Sequence, residues 1–429
     1  MILANMSVPL LGLVDTAVIG HLSDARFLAA IALGSSTVTV LFWLLGFLRM
    51  STTGAVAEAF GSAQSSKITT VLLASSSLAL VLALLLGFLQ QPIVMVMGYL
   101  AQTSAEVQQL ASEYVAIRLF AAPAVLLNLV LLGALLGLQF GKGPFYVVLF
   151  SNGLNIVLDI WFVVGLGLGV QGAAWASCIA EYASLLLALW LLRKVLWQQM
   201  ATKLRWQWPR WQQLVTLLAL NRDIFLRSLI LQACFSYMTF YAARLGDITL
   251  AANAVLLNFL LLVSFAMDGL AYALEAKVGH ANGQRNLPAI QLWVKLGFVW
   301  GGAFALCYAL LFATLGGNII ALLTDLPEVQ AHAERYLGWL VVLPLLATSA
   351  FLFDGIFIGL MRGHDMRNSM LVSGLVGFVL PAWGFSSYGN HALWLAMCAF
   401  MLLRGLTLAY LYRKWMDQRP FSPALAQND

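Results

Sequence analysis

The sequence predicts an all-α polytopic membrane protein, with twelve transmembrane helices in two six-helix lobes related by a parallel pseudo-two-fold repeat. Three observations carry that reading. Of 429 residues, 62% are hydrophobic and only 10% are charged, against about 25% charged in a soluble domain. Apolar stretches of roughly 20 residues, enough to cross about 30 Å of hydrocarbon, recur along the chain. Motifs of the first half return in the second at a spacing of 222 residues. Backbone amides in lipid must be bonded within their own segment, so the apolar stretches are helices.

Reading apolar runs against Gly, Pro and polar breaks gives the spans in order. The first six are 2–22, 30–58, 68–90, 108–138, 144–165 and 172–193, and Val71–Leu89 shows the type most plainly. The second six are 222–244, 250–277, 290–316, 331–361, 367–385 and 390–412, with Leu296–Leu315 as the corresponding example. These give an N-terminal lobe over 1–193, a linker over 194–221, a C-terminal lobe over 222–412 and a tail over 413–429. The linker mixes Lys203, Arg205 and Arg210 with Trp197, Trp206, Trp208 and Trp211. Beside a membrane that mixture anchors at headgroups, and nucleic acid is not an expected partner.

The repeat is explicit. Glu106-Val107-Gln108 meets Glu328-Val329-Gln330, and Tyr114 meets Tyr336. Gly133, Gly137 and Gly141 meet Gly355, Gly359 and Gly363, while Pro123 and Pro344 are one position out of register. Six spans per half is an even number, so both halves enter the membrane from the same side and the repeats are parallel. The two glycine stripes predict closely packed helices.

Lys and Arg concentrate in alternate loops, at Lys67, Lys142, Arg193 to Arg210, Lys277, Arg285, Arg362, Arg367 and Arg413 to Arg419. This bias places both termini and the linker in the cytoplasm. Met1 to Pro9 run into an apolar helix with no basic leader and no small-residue cleavage site, so no removable signal peptide is expected. A native start upstream of Met1 stays open. Cys178, Cys234, Cys307 and Cys398 lie in apolar segments without CxxC spacing and read as small buried hydrophobes. HExxH, GxSxG and GxxxxGK[ST] motifs are absent, which removes support for metalloprotease, hydrolase and ATPase activities and predicts a protein that is not an enzyme.

Charges at membrane depth cost at least roughly 2.5–3.5 kcal/mol, so intramembrane acids are functional candidates. Asp15 lies in the middle of the first span, six residues after Pro9, a candidate hinge. Asn155 and Asp159 are four apart on the fifth span and share one face. Ser177 and Glu181 are one turn apart on the sixth. The second half adds Asp268, Glu275 and Asp354. Arg49, Arg118 and Arg404 lie within or near spans and offer structural partners to some of these acids. Asp15 and Asp159 have no basic neighbour on their own helices. If those helices meet, burial and like charge favour one shared proton, or a Na⁺ ion with Asn155 supplying an amide oxygen. No other metal is expected.

Pro9 to Gly20 (PLLGLVDTAVIG), Leu48 to Gly54 (LRMSTTG), the Asn155-x3-Asp159 pair, Gly172 to Ala174, and Asp354-Gly355 followed by Arg362-Gly363 carry a family resemblance. Over essentially its whole length the chain resembles the multidrug and toxic compound extrusion family. The resemblance implies two six-helix lobes and export of small amphipathic, often cationic compounds in exchange for H⁺ or Na⁺. It implies that Asp15 is the main coupling residue, joined by Asn155 and Asp159, with Tyr114 and Ser177 as the matching tyrosine and hydroxyl and Asp354 as an acid used by some members. The expectation is a bacterial inner-membrane antiporter, a monomer with no cofactor, coupled to H⁺ in preference to Na⁺. A flippase for a lipid-linked precursor is the alternative, and it requires a large cationic cavity.

Overall fold

The computed structural model describes residues 25–101, 103–200 and 207–418. Among the described residues there is no β-strand. The predicted first span, 2–22, lies outside them, and with it Asp15 and Pro9. The remaining spans are all present as helix. The second is α1 (Ala25–Leu44) followed by α2 (Phe47–Gly61), and the third is α3 (Ser65–Phe88). The fourth is α5 (Ala105–Phe120) and α6 (Ala122–Gly137), bent by 47° at Ala121. Pro123 sits in the first turn of α6, where its missing N–H interrupts the ladder least. The fifth and sixth are α7 (Lys142–Asp159) and α8 (Gly169–Met200).

In the second half, α9 (Trp211–Arg244), α10 (Asp247–Gly283), α11 (Leu287–Leu323) and α12 (Pro327–Gly359) are each a single long helix. The eleventh span is α13 (Gly363–Val372), a π-helical stretch over Ser373–Val379 and α14 (Leu380–Gly384), and the twelfth is α15 (Asn390–Asp417). Eight described helices are long and apolar enough to cross a membrane unaided, nine with the bent α5–α6 pair. The twelve-span layout is that of a polytopic membrane protein in two repeats.

Several details depart from the sequence reading. A short helix α4 (Gln90–Ala101) follows α3, where no element was expected. Helices α8 and α9 run into the polar connection, which is therefore mostly helical at its described ends. Cys178, Cys234 and Cys398 are buried, but Cys307 is exposed on α11.

By contacts the described chain forms two compact units. One gathers residues up to Ser228 with Asp268–Gly297 and Gly355–Arg362; the other gathers Leu229–Met267, Phe298–Asp354 and the chain from Gly363. The first unit is cored by two apolar clusters, one around Leu48, Tyr114, Leu126 and Ile224, the other around Val56, Ile68, Leu135 and Val147. In the second, Phe259 and Phe312 pack edge to face at 4.8 Å, and Trp394 is fully buried.

The repeat is written into the backbone. Among the described residues, the non-glycine positions with positive φ are Ala63, Gln139, Arg285 and Met361. They form two pairs at the repeat spacing: Ala63 with Arg285, and Gln139 with Met361. Their bonding matches as well. Phe140 N–H donates to Leu135 O at 2.9 Å after α6, and Arg362 N–H donates to Phe357 O at 2.9 Å after α12. Left-handed residues that recapture the last carbonyls are a common helix stop, usually filled by glycine. Non-glycine residues at all four stops, in matched pairs, mark one structural unit used twice.

The glycine stripes do what their spacing predicted at Gly133, Gly137, Gly355 and Gly359. A Cβ on Gly133 would sit 2.5 Å from Arg49 O, and its mate Gly355 is pressed as closely on Ala271 O. A Cβ on Gly137 would lie 2.8 Å from the Val56 side chain, and one on Gly359 would lie 3.1 Å from that of Val278, the repeat mate of Val56. Gly141 is different: nothing lies within 4 Å of its missing Cβ. Ala57 and Gly279, themselves repeat mates, touch each other: a Cβ on Gly279 would fall 2.7 Å from Ala57 Cβ. Equivalent residues meet only beside the axis that relates them, so this contact lies on the pseudo-two-fold.

Candidate functional site

Helix α7 presents Asn155 and Asp159 on one face, each 4% exposed. Asn155 Nδ2 donates to Ser177 Oγ on α8 at 3.2 Å. With its N–H₂ turned to Ser177, the amide oxygen of Asn155 is the atom that can serve a cation. Asp159 ends the α-helical ladder. The next six residues, Ile160–Gly165, are π-helical, and Leu166 N–H donates back to Trp161 O at 2.9 Å. π turns are rare and gather at functional sites, because the extra residue per turn redirects the side chains beside it. Sequence reading found the acid and missed the turn. A buried carboxyl with an amide oxygen one turn away suits one monovalent charge, either a proton on the carboxyl or an oxygen-ligated cation.

Tyr114 is buried on α5, its ring against α1 where a Cβ on Gly34 would lie 2.7 Å from Cδ1. Asp15, the residue expected to face Asp159, and the hinge candidate Pro9 are outside the described residues. One turn beyond Ser177, Glu181 accepts from Asn128 Nδ2 at 3.2 Å, and the same amide donates to Ser184 Oγ at 2.8 Å. Among the described residues, Arg118 makes no ion pair within 4 Å; its guanidinium lies 6.0 Å from the Phe42 ring.

The second-half acids sit in another environment. Glu275 on α10 receives two bonds from Arg49 on α2, at 2.9 and 3.2 Å, and both residues are buried. The same guanidinium lies 4.0 Å over the Tyr272 ring, the stacked and forked geometry that arginine favours. Asp268 is close enough to act electrostatically on Arg49. Asp354 on α12 is paired with Arg404 on α15, and both are buried. Two of the three basic residues named from sequence therefore neutralise two of the three second-half candidates. Neighbouring polar contacts had no sequence signal: Ser51 donates to Asn221 Oδ1 at 2.6 Å, and Asn253 and Asn390 exchange bonds at 2.6 and 2.9 Å with Trp394 Nε1 joining at 3.0 Å. Among the described residues no group of three His, Cys, Asp or Glu side chains is placed to hold a metal ion.

Comparison with known proteins agrees with this architecture. The MatE family model matches residues 1–161 and 224–383. The chain is 44% identical over 421 residues to DNA damage-inducible protein F of Escherichia coli, covering 96% of this chain and 90% of that protein. It is 27% identical over 418 residues to a probable multidrug resistance protein NorM of Acinetobacter baylyi, covering 93% and 89%. Among solved structures, MATE in the bent conformation superposes with a TM-score of 0.87 at 21% identity, covering 97% of this chain and 93% of that one. An outward-facing multidrug resistance MATE family transporter gives 0.84 at 20% identity, covering 98% and 94%.

Proposed function

The chain belongs to the MatE family of multidrug efflux transporters, and from that premise we propose that it is a cation-coupled antiporter, driven by H⁺ in preference to Na⁺. It exports small amphipathic or cationic compounds across a bacterial inner membrane by alternating access, as a monomer with cytoplasmic termini. Asp15 takes up the proton from outside, Asp159 and Asn155 share its site, and drug affinity falls as the site is neutralised. Ser177 fixes the amide of Asn155, and Tyr114 braces α5 against α1.

The observation that carries this reading is the buried Asn155–Asp159 pair at the mouth of a π turn. Glu275 and Asp354 are each held by an arginine, which supports a structural duty for them. The same pairs weigh against the flippase alternative, since Arg49 and Arg404 are occupied and do not offer a cationic cavity to a phosphate. One charge moving through 100 mV is worth about 2.3 kcal/mol, a drug gradient of several tens-fold.

The test is drug or dye uptake into proteoliposomes with the pH gradient and the Na⁺ gradient collapsed separately. Loss of transport with the pH gradient alone is the expected result. Transport that survives it but fails without the Na⁺ gradient reverses the ion assignment.

A further inference from the structure

A pocket of about 390 Å³ opens where α7 begins and α8 ends, walled by Phe140, Tyr146, Leu187, Trp190, Leu191 and Lys194. Both helices are long enough to span a membrane, so this junction of one helix start and one helix end lies at a membrane–water boundary. Trp190, Trp197, Trp208 and Trp211 are all more than half exposed at this end of the chain, as in the aromatic belts that sit at headgroup level. The coupling site is farther along the same two helices, at Asn155, Asp159 and Ser177.

The charged residue in the lining of the pocket is a cation, Lys194. Lys194 Nζ lies 5.3 Å from the Trp190 ring centre, and among the described residues it has no carboxylate within 4 Å. From Tyr114 to Leu158 and from Tyr182 to Arg222 the sequence holds no Asp or Glu, yet those two segments carry Lys142, Arg193 and Lys194. A cation on an aromatic floor, with no acid to neutralise it, is set to receive an anion. Next to it the exposed side chains Leu149, Phe150, Leu186 and Leu189 form an apolar surface. A free anion leaves that surface unused, whereas an acyl chain covers it.

We propose that this pocket binds an anionic phospholipid, its phosphate on Lys194 and its chains along α7 and α8. Such a lipid bridges the two helices that carry Asn155 and Ser177 and holds them at a fixed spacing. The binding itself does not depend on which ion drives transport or on which compound is carried.

The test is native mass spectrometry of the full chain released from detergent with added phosphatidylglycerol or phosphatidylcholine. Wild type is expected to retain phosphatidylglycerol in preference. Lys194→Gln is expected to lower that retention about fivefold, the worth of one basic residue at a charged membrane surface, and Lys194→Arg to keep it. Lys67→Gln, far along the chain and already paired with Glu58, serves as the control and is expected to match wild type. Equal retention of both lipids by wild type, or unchanged phosphatidylglycerol retention in Lys194→Gln, overturns the proposal. Displacement of the lipid by millimolar inorganic phosphate also overturns it, because the site then takes a free anion. Should Lys194→Gln fail to fold, Trp190→Leu removes the aromatic floor and is read against the same outcomes.

Discussion

Arg49 and Glu275 are 226 positions apart, in opposite repeats, yet their side chains meet through two hydrogen bonds of 2.9 and 3.2 Å inside one compact unit. Neither helix needs the pair for its own stability. Its place beside the repeat axis, with Ala57 and Gly279 touching nearby, makes it a tie between the two halves. Removing one member strands the other in a buried site, a loss of about 3–5 kcal/mol. Removing both with apolar side chains of similar size strands nothing. Thermal unfolding in detergent should therefore fall sharply for Arg49→Met and for Glu275→Met, and recover in the double variant. A double variant as unstable as the sum of the singles would show that the two residues act independently.

The glycine stripes give a sharper contrast. A Cβ on Gly137 meets Val56, Ala57 and Thr53, all within 3 Å, while one on Gly141 meets nothing within 4 Å. Overpacking a tight contact costs about 1–3 kcal/mol. Gly137→Ala should lower the melting temperature and Gly141→Ala should leave it almost unchanged. Gly359→Ala should behave like Gly137→Ala, because its Cβ would lie 2.8 Å from Gly279 N and 2.9 Å from Glu275 O.

What the sequence made legible is what depends on neighbours along the chain. Apolar length gave the spans, and the 222-residue spacing gave the repeat that the positive-φ turns at Ala63, Arg285, Gln139 and Met361 now display. The buried face of Asn155 and Asp159 followed from their four-residue spacing. Partner choice was not legible. Arg49 and Arg404 were visible as candidate partners, but which acid each meets depends on how distant helices cross. The π turn after Asp159 was missed because hydropathy does not register one extra residue per turn. Cys307 reads as buried in an apolar run, yet in lipid an apolar run faces outward as readily as inward.

Asp354 and Arg404 lead to a prediction that separates structure from coupling. Asp354→Asn leaves a buried guanidinium without its counter-charge, so the expected defect is in folded yield and thermal stability. Replacing Asp354 and Arg404 together by Asn and Met should restore much of the stability. If the double variant is stable and also exchanges substrate at the wild-type rate, Asp354 has no coupling role; a stable but inactive double variant would return it to the ion pathway.

The first lobe makes the opposite prediction. Asn is nearly the shape of Asp and carries no proton to give up, so Asp159→Asn should preserve the bond from Asn155 to Ser177 and the buried packing of α7. Asp15→Asn should likewise preserve folding. In proteoliposomes with an imposed pH gradient, both variants are expected to fall to the dye uptake of empty vesicles while their melting temperatures stay near wild type. Loss of uptake together with loss of stability would mean that these acids hold the lobe together, as Glu275 does. Wild-type rates in Asp15→Asn would remove that residue from the mechanism. The same rates in Asp159→Asn would leave the π turn as a packing feature, with the proton carried elsewhere.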